Sequence, residues 1–435
     1  MKALLTSLVI MLLTFSSGAQ GIITTIAGGG WGVDGGLAIN AALDKVNDVL
    51  VDSGGNVYIA EDEAIRKIDA QTQIISLYAG SYQTGVGCDG CPATTAKLNL
   101  ANAIAMDKQG NLYIADYGSC RIRKVDALTG IMTTYAGNAI YGYSGDGGPA
   151  TSARLKRPMD IAFDANDNLY IADEFYHIRR VDRQTGIITT VAGDGIQGTW
   201  NNGDLASAIR LGSVRGVAID KAGDIYFADF NGRRIGRIDG TGVVYTYCGT
   251  GTLGISGDGG PATDAQIGAS AKIRFDEDDN LFLADGTIRK IERPTGIINM
   301  VAGPWSGFCG DGGPATQACL SGVMGVWVEP GGDFYIADGL NYRIRKVTYP
   351  TSVPTVEKEQ NVRLYPNPSN SIVFFESDND IPRIEIYDIS GRLILSKTAR
   401  EKKVMIDISS FATGTYTTLI FSGLQVKAEK LLRIP

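Results

Sequence analysis

Carboxylates recur at one fixed position along this chain of 435 residues. A pattern of one aromatic residue, two apolar residues and one carboxylate occurs six times and ends on Glu61, Asp116, Asp173, Asp229, Asp285 and Asp338. An arginine follows in five copies, with Gly236 in the remaining place: Arg66, Arg123, Arg179, Arg289 and Arg345. Gathered around one axis, the carboxylates would form an acidic ring at a channel mouth that recognises cations. Unpaired carboxylates repel one another, so we predict instead that each is braced by its arginine.

Histidine is the scarcest group with catalytic chemistry, because His177 is the sole histidine. Zinc sites, serine triads and most general bases draw on histidine. We therefore assign no catalytic residue and no metal ligand, and the sequence favours a protein that is not an enzyme. A metal-assisted hydrolase or lyase that uses an axial pocket remains the alternative.

The carboxylate pattern belongs to a longer internal repeat of four short strands, named a to d here in chain order. Strand a is apolar on both faces, and Asp, Gly and Asn mark the turn to strand b. In the second copy the predicted strands are Ala103–Met106, Leu112–Ala115, Arg121–Val125 and Ile131–Ala136. Six such copies predict an all-β fold, a six-bladed β-propeller over residues 20–350.

The two ends of the repeat region predict how the ring closes. The sixth copy reaches strand c at Arg343–Val347 and then leaves for Pro350 without a strand d. At the other end, Gly21–Gly28 nearly duplicates the strand d of the third copy, Gly186–Gly193. We predict that this N-terminal strand completes the last blade and removes two exposed sheet edges.

These residues resemble a known family. The stretch Asp-Lys-Gln-Gly-Asn-Leu-Tyr-Ile-Ala-Asp at 107–116, followed by Arg-Ile-Arg-Lys-Val-Asp at 121–126, is similar to the NHL repeat. The resemblance covers about residues 20–350 and implies a six-bladed propeller. It leaves function open, since the family includes adhesion and scaffold domains, RNA-binding modules and peptide-processing lyases. The formal net charge of −7 disfavours a nucleic-acid partner.

An insertion precedes strand a in each copy and carries a glycine-rich motif. Ser144–Thr151 recurs as Ser256–Thr263 and, in part, as 310–316. Its aspartate suits a turn. We therefore predict no cofactor, with calcium as the alternative. The insertions and the b-to-c loops should emerge on one face, the candidate ligand surface. Its candidate contacts are Trp31, Tyr82, Tyr141, Tyr143, Trp200, Trp305 and Phe308, unless these rings pack down over the blades.

The N-terminus indicates export, and export bears on the state of the cysteines. Residues 1–19 read as a signal peptide, with Lys2, an apolar run and a small-residue cleavage site before Gln20. No later stretch is long and apolar enough to span a bilayer. Export permits disulfides, and local spacing suggests the pairs Cys88 with Cys91 and Cys309 with Cys319. Cys120 and Cys248 form either a third bridge or two buried thiols.

The composition changes after Val347. Residues 351–360 read as a linker, and residues 361–435 as a small β-sandwich. This last segment resembles the type A C-terminal sorting domain of type IX secretion cargo from Bacteroidota. The resemblance implies Sec export to the periplasm, recognition by the type IX machinery, and release or attachment to surface lipopolysaccharide. Its end, Leu431 to Pro435, departs from the usual lysine-rich finish.

Together these features predict a secreted or surface-attached binding protein. Its long-loop face would recognise an extracellular glycan or protein, without nucleic acid and without a transmembrane segment. A non-catalytic surface scaffold and an axial-pocket enzyme remain as alternatives. The sequence names no ligand.

Overall fold

A computed structural model describes residues 20–174, 176–268, 272–349, 362–388, 392–422 and 425–435. The predicted signal peptide and the predicted linker lie outside these residues. The chain divides into two compact units, residues 1–350 and 351–435.

The first unit is the six-bladed β-propeller, which confirms the predicted fold class. Each blade is an antiparallel sheet in the order a-b-c-d, and the six a strands contact their neighbours in a closed ring around the axis. Blades 1 to 3 consist of Val46–Val51, Val57–Glu61, Ala64–Ile68 and Ile75–Gly80; Ala101–Met106, Leu112–Asp116, Arg121–Val125 and Ile131–Ala136; Pro158–Phe163, Leu169–Asp173, His177–Val181 and Ile188–Ala192. Blades 4 to 6 consist of Val214–Ile219, Ile225–Asp229, Arg234–Ile238 and Val244–Cys248; Ile273–Phe275, Leu281–Ala284, Ile288–Ile291 and Ile298–Ala302; Val323–Val328, Phe334–Asp338, Arg343–Thr348 and Ile22–Gly28.

The N-terminal strand Ile22–Gly28 is strand d of blade 6. It pairs antiparallel with strand c of that blade, from Ile22 opposite Thr348 to Gly28 opposite Arg343. Ile23 and Ala27 point into the core and are fully buried. The first and last copies of the repeat therefore share one sheet, and the ring closes through hydrogen bonds.

Apolar side chains fill the space between adjacent blades. Between blades 1 and 2, for example, Leu50 and Ala60 pack with Leu98, Ile104 and Ile114. Similar clusters separate the other blades. Each blade buries its faces only against its neighbours, so the stability of the ring depends on every blade being present.

The insertions contain regular secondary structure and also pack against their own blades. Each contains a short 3-10 helix whose first alanine is buried: Ala38–Asn40, Ala93–Thr95, Ala150–Ser152, Ala206–Ala208, Ala262–Asp264 and Ala315–Gln317. In blade 3 the backbone of Gly147 and Gly148 exchanges hydrogen bonds with Ile188 of strand d. This part of the insertion therefore covers the outer edge of its blade, where an unpaired strand would otherwise expose its backbone.

Small elements complete the propeller. Two further 3-10 helices, Tyr117–Ser119 and Gly339–Asn341, lie in b-to-c loops. Cys91–Pro92 adds a short strand to blade 2, and Trp305–Ser306 pairs in parallel with Cys319–Leu320. Disulfides join Cys88 to Cys91 and Cys309 to Cys319, while Cys120 and Cys248 are buried free thiols.

The second unit is a five-stranded sheet formed by Arg363–Tyr365, Ile372–Tyr387, Leu393–Asp407, Gly414–Ser422 and Gln425–Arg433. The long second strand pairs with three of the others and shifts register between Glu376 and Ile381. All the described strands of this unit join one continuous sheet, whereas a sandwich has two sheets. The sheet has its own apolar core, which includes Val373, Phe375, Ile384 and Leu431.

Candidate ligand-binding site at the propeller axis

The six repeated carboxylates are buried and so do not form the acidic ring at a channel mouth that was the alternative to arginine braces. Each is at most 2% exposed. In five of the six, the carboxylate accepts a hydrogen bond from the backbone N–H seventeen residues earlier, as Glu61 does from Asp44 at 2.9 Å and Asp338 from Ser321 at 2.7 Å. That N–H lies at the end of the insertion. These carboxylates therefore fasten the insertions to strand b and do not face a ligand.

Burial raises the pKa values of these six carboxyl groups. It raises the pKa of Glu61 and of Asp173 to about 7, and that of Asp116 to about 6. The pKa values of Asp229, Asp285 and Asp338 also rise, again because burial disfavours the charged form.

The propeller should therefore melt at a higher temperature at about pH 5 than at about pH 8. A carboxyl group whose pKa is raised by folding stabilises the fold fully below its unfolded pKa of about 4. That contribution is lost as the pH rises through the folded-state pKa. Thermal unfolding of the full chain across this window measures the effect, and we expect a fall of several degrees.

Asp173→Asn is the control for this pH dependence. The amide cannot ionise, so the variant should lose part of the slope between acidic and alkaline pH. A melting temperature that is flat or rises over this window would contradict the assignment.

The arginines of strand c are braced, but mainly by a different carboxylate from the predicted one. Each pairs with the aspartate of the insertion motif: Arg66 with Asp34 at 2.8 Å, Arg123 with Asp89 at 3.0 Å, Arg289 with Asp258 at 2.9 Å, Arg345 with Asp311 at 2.7 Å, and Arg179 with Asp146. The carboxylates at the ends of strand b lie farther away, at 3.4 to 3.8 Å, in three blades. The motif aspartate thus ties the insertion to its blade.

Blade 4 replaces this ion pair with aromatic packing, which removes Trp200 from the predicted ligand surface. Gly236 stands in place of the arginine, and Asn202 in place of the aspartate. Phe227 fills the space beside Gly236. Trp200 packs against Phe227 at 5.6 Å between ring centroids and is 1% exposed. Its ring therefore belongs to the core and cannot stack on a ligand.

Three other predicted aromatic contacts are tied to the arginine braces. The Tyr82 hydroxyl donates to Asp34 at 2.7 Å. Tyr143 stacks on His177 at 3.8 Å and bonds to Asp146 at 3.0 Å. The Phe308 ring lies 5.0 Å from the Arg345 guanidinium and 3.9 Å from that of Arg343. All three are partly exposed, so they cover the braces and remain accessible to solvent.

Trp31, Trp305 and Tyr141 are the predicted aromatic residues with the most accessible rings. Trp31 is 96% exposed and Trp305 is 65% exposed, and their insertions flank blade 6. Tyr141 lies on the other side of the ring, 5.7 Å from the guanidinium of Arg157. The free indole faces are therefore concentrated around a single blade.

Four charged side chains meet at the axis, a feature that the sequence reasoning missed. Asp48, Asp160 and Arg274 come from the a strands of blades 1, 3 and 5, and Lys272 directly precedes strand a of blade 5. Lys272 lies 3.0 Å from Asp48 and 3.4 Å from Asp160, and Arg274 binds both oxygens of Asp160 at 2.8 and 2.9 Å. We call these four residues the axial quartet. Charges within otherwise apolar a strands were the available signal, since a buried charge requires a partner.

The quartet also connects neighbouring blades. Asp48 accepts the N–H of Ile104 in blade 2 at 3.1 Å, and Asp160 accepts that of Val217 in blade 4 at 2.9 Å. Burial alone would raise the pKa of Asp160, but Arg274 and Lys272 outweigh it and hold this pKa below its ordinary value. Asp160 is therefore ionised and neutralised by protein cations.

A cavity of about 270 Å³ opens above the quartet, on the end where the b-to-c loops emerge. We call it the axial funnel, and every blade contributes to its wall. Its lining comprises Lys45, Asn47, Asp62, Leu100, Asn102, Tyr117, Met159, Glu174, Arg215, Lys272 and Met324. The lining combines polar, charged and apolar groups, as in sites that orient a small ligand. None of these residues was a sequence-predicted contact, because they share no repeated motif.

The far end of the axis has a different character. A cavity of about 220 Å³ there is lined mainly by apolar side chains, including Ile104, Phe163 and Trp327, with Arg274 as its charged member. The axial quartet thus separates a polar funnel from an apolar one. Within the described part of the chain, no three His, Cys, Asp or Glu side chains are arranged to hold a metal ion.

Fold and repeats together define an NHL-like six-bladed propeller joined to a sorting domain. Residues 363–433 match the secretion system C-terminal sorting domain. Human Teneurin-1 is 29% identical over 226 residues, which cover 46% of this chain and 8% of that protein. Human NHL repeat-containing protein 2 is 27% identical over 155 residues, 34% of this chain and 21% of that protein. The chain thus spans only a small part of these relatives.

Among solved structures, the propeller is similar to an auxiliary nutrient binding protein from Bacteroides ovatus. The TM-score is 0.57 at 17% identity, with 76% of this chain and 77% of that chain covered. A likeness at this identity concerns the fold alone. The type IX sorting domain assigns the chain to secretion or to the cell surface. Among the described residues, no helix has the length and apolar character needed to cross a bilayer.

Proposed function

We propose that this chain is an exported, non-catalytic protein that binds an extracellular glycan on the loop face of its propeller. The observation that carries the proposal is the axial funnel, a cavity at the centre of that face whose amide, hydroxyl and carboxylate groups suit sugar hydroxyls. The exposed indoles of Trp31 and Trp305 supply flat apolar faces for further sugar rings. The name of the Bacteroides ovatus protein, which describes nutrient binding, agrees with this role.

Binding is favoured over catalysis by the state of two sets of carboxylates, those of the axial quartet and those at the ends of strand b. An axial hydrolase or lyase needs carboxylates that are free to act as acid, base or metal ligand. Asp48 and Asp160 are each neutralised by Lys272 and Arg274 instead. The six carboxylates at the ends of strand b are buried beneath the insertions.

The route of export forms part of the proposal. The predicted signal peptide would direct the chain to the periplasm, and the sorting domain would then engage the type IX machinery. Removal of that domain would leave the propeller released or attached to surface lipopolysaccharide. In either position the loop face would meet extracellular glycans.

A glycan array probed with the full chain tests the function. Met324→Trp should lower the affinity for any bound glycan by about tenfold or more, because the bulkier indole fills the funnel. A tenfold loss of affinity corresponds to about 1.4 kcal/mol. Trp31→Ala combined with Trp305→Ala should weaken longer glycans more than short ones. Parallel arrays with a chelator separate metal-dependent binding from direct binding.

Leu128→Trp is the matched control, because Leu128 is 97% exposed in a c-to-d turn, away from the loop face. It should leave binding unchanged. Equal binding by wild type and Met324→Trp would place the ligand elsewhere and overturn the funnel assignment. Binding to proteins but to no glycan would overturn the ligand class and retain the binding role.

A further inference from the structure

Arg215 is an arginine of the axial funnel that has no carboxylate within ion-pair distance among the described residues. It belongs to strand a of blade 4 and lines the cavity. Its guanidinium lies 3.5 Å from the centroid of the Phe230 ring, so one flat face is covered by the aromatic side chain. Its Nε is buried without a hydrogen-bond partner among the described residues. An arginine held in this way presents its free N–H groups as a planar fork.

The arginines that lie deeper in the propeller have anionic partners. Those of strand c each have an aspartate within ion-pair distance, and Arg274 has Asp160. Burial of Arg215 lowers its pKa, with Glu174 and Tyr117 opposing the change. A half-buried guanidinium without an ion-pair partner carries a desolvation cost that an incoming carboxylate would offset.

The nearest acidic residue is already engaged. Glu174 accepts the Tyr117 hydroxyl at 3.0 Å and lies 3.9 Å from Arg157. Across the funnel, Asp62 accepts the Asn47 amide at 2.7 Å. Each of the two carboxylates keeps one oxygen without a hydrogen bond in the described part of the chain. Those oxygens can accept hydroxyl groups of a ligand but do not neutralise Arg215.

We propose that the axial funnel binds an acidic sugar residue, with the sugar carboxylate held by Arg215 and the sugar hydroxyls held by Asp62 and Glu174. This inference rests on the proposed glycan-binding function and names the class of glycan. Leu100, Met159 and Met324 line the same cavity and provide apolar contact for the C–H groups of the ring. At about 270 Å³ the funnel is just below the usual range for ligand pockets, about 300 to 1,000 Å³, and suits one sugar unit.

Sodium glucuronate and its uncharged counterpart glucuronamide are the probes that separate charge from shape. Binding to the full chain would be followed by calorimetry and by the side-chain N–H resonances of arginine. We expect glucuronate to bind at least tenfold more tightly than glucuronamide. During the titration the Arg215 N–H resonance should shift until binding is saturated. Arg215→Gln should remove this preference.

Arg233→Gln is the matched control, because Arg233 also contacts the Phe230 ring, at 4.7 Å, but does not line the funnel. It should bind glucuronate as the wild type does. If Arg215→Gln fails to fold, the resonance shift in the wild type still decides the question. Arg215→Lys retains the charge without the planar fork, so its preference for glucuronate should lie between those of the wild type and of Arg215→Gln.

The failures of the two proposals can be told apart. Equal affinity for glucuronate and glucuronamide, or no shift at Arg215, overturns the acidic-sugar inference and leaves neutral glycans as ligands. Preference for an N-acetylated dipeptide over glucuronate overturns it in favour of a peptide carboxylate. Array binding that is insensitive to Met324→Trp, together with no shift at Arg215, overturns both.

Discussion

Replacing Asp160 with asparagine should lower the free energy of unfolding of the propeller by about 3 to 5 kcal/mol. Asp160 is fully buried and binds Arg274 through both of its oxygens, with Lys272 at 3.4 Å. The amide would leave two buried cations to share the single carboxylate of Asp48. Chemical denaturation of the full chain, followed by tryptophan fluorescence, measures the loss.

Asp278→Asn is the control for this experiment, because Asp278 is an exposed carboxylate with no ion pair in the described part of the chain. The same change of charge there should alter stability by less than about 0.5 kcal/mol. In the double variant Asp160→Asn with Arg274→Met, the loss should be smaller than the sum of the two single losses. Additive losses would show that the two side chains do not act as a pair.

Deleting residues 20–28 should destabilise the whole ring, by about 5 to 10 kcal/mol on the strength of its buried side chains and its strand pairing. The strand contributes Ile23 and Ala27 to the core and pairs along strand c of blade 6. It also bonds to the insertion of that blade, with the Thr25 hydroxyl 2.6 Å from Asp311. Without it, strand c of blade 6 becomes an open edge. Thermal unfolding of the truncated chain tests this result.

A pair of point substitutions separates loss of the strand from loss of chain length. Ile23→Asp places a charge in the core and should approach the effect of the deletion. Thr24→Asp places the same charge on the exposed face of the same strand and should be tolerated. An unchanged melting temperature for both the truncation and Ile23→Asp would contradict closure of the ring by this strand.

Much of the fold could be predicted because it is repeated. Strands c and d of blade 2 begin and end where the pattern predicted, and strands a and b differ by one or two residues. The partner of the N-terminal strand followed from the missing strand of the sixth copy. Each inference used a local sequence pattern, and that pattern could be recognised because it recurs in six copies.

The site was harder to predict because it depends on differences between blades. The repeated aspartates and carboxylates, which drew attention as a set, hold insertions in place. Trp200 resembled the other loop aromatics in sequence, yet it replaces an ion pair in the core of blade 4. Arg215 and Lys272 occur once each at their positions and carried no motif.

The sequence by itself determined the propeller, its closing strand and its sorting domain, because each follows from strand patterns or motifs that are contiguous along the chain. The tertiary structure alone decided which side chains meet at the axis. Asp48, Asp160 and Lys272 lie in three different blades, and only closure of the ring brings them within 3.0 to 3.4 Å. The funnel above them likewise depends on side chains from all six blades, and that convergence is a property of the closed ring.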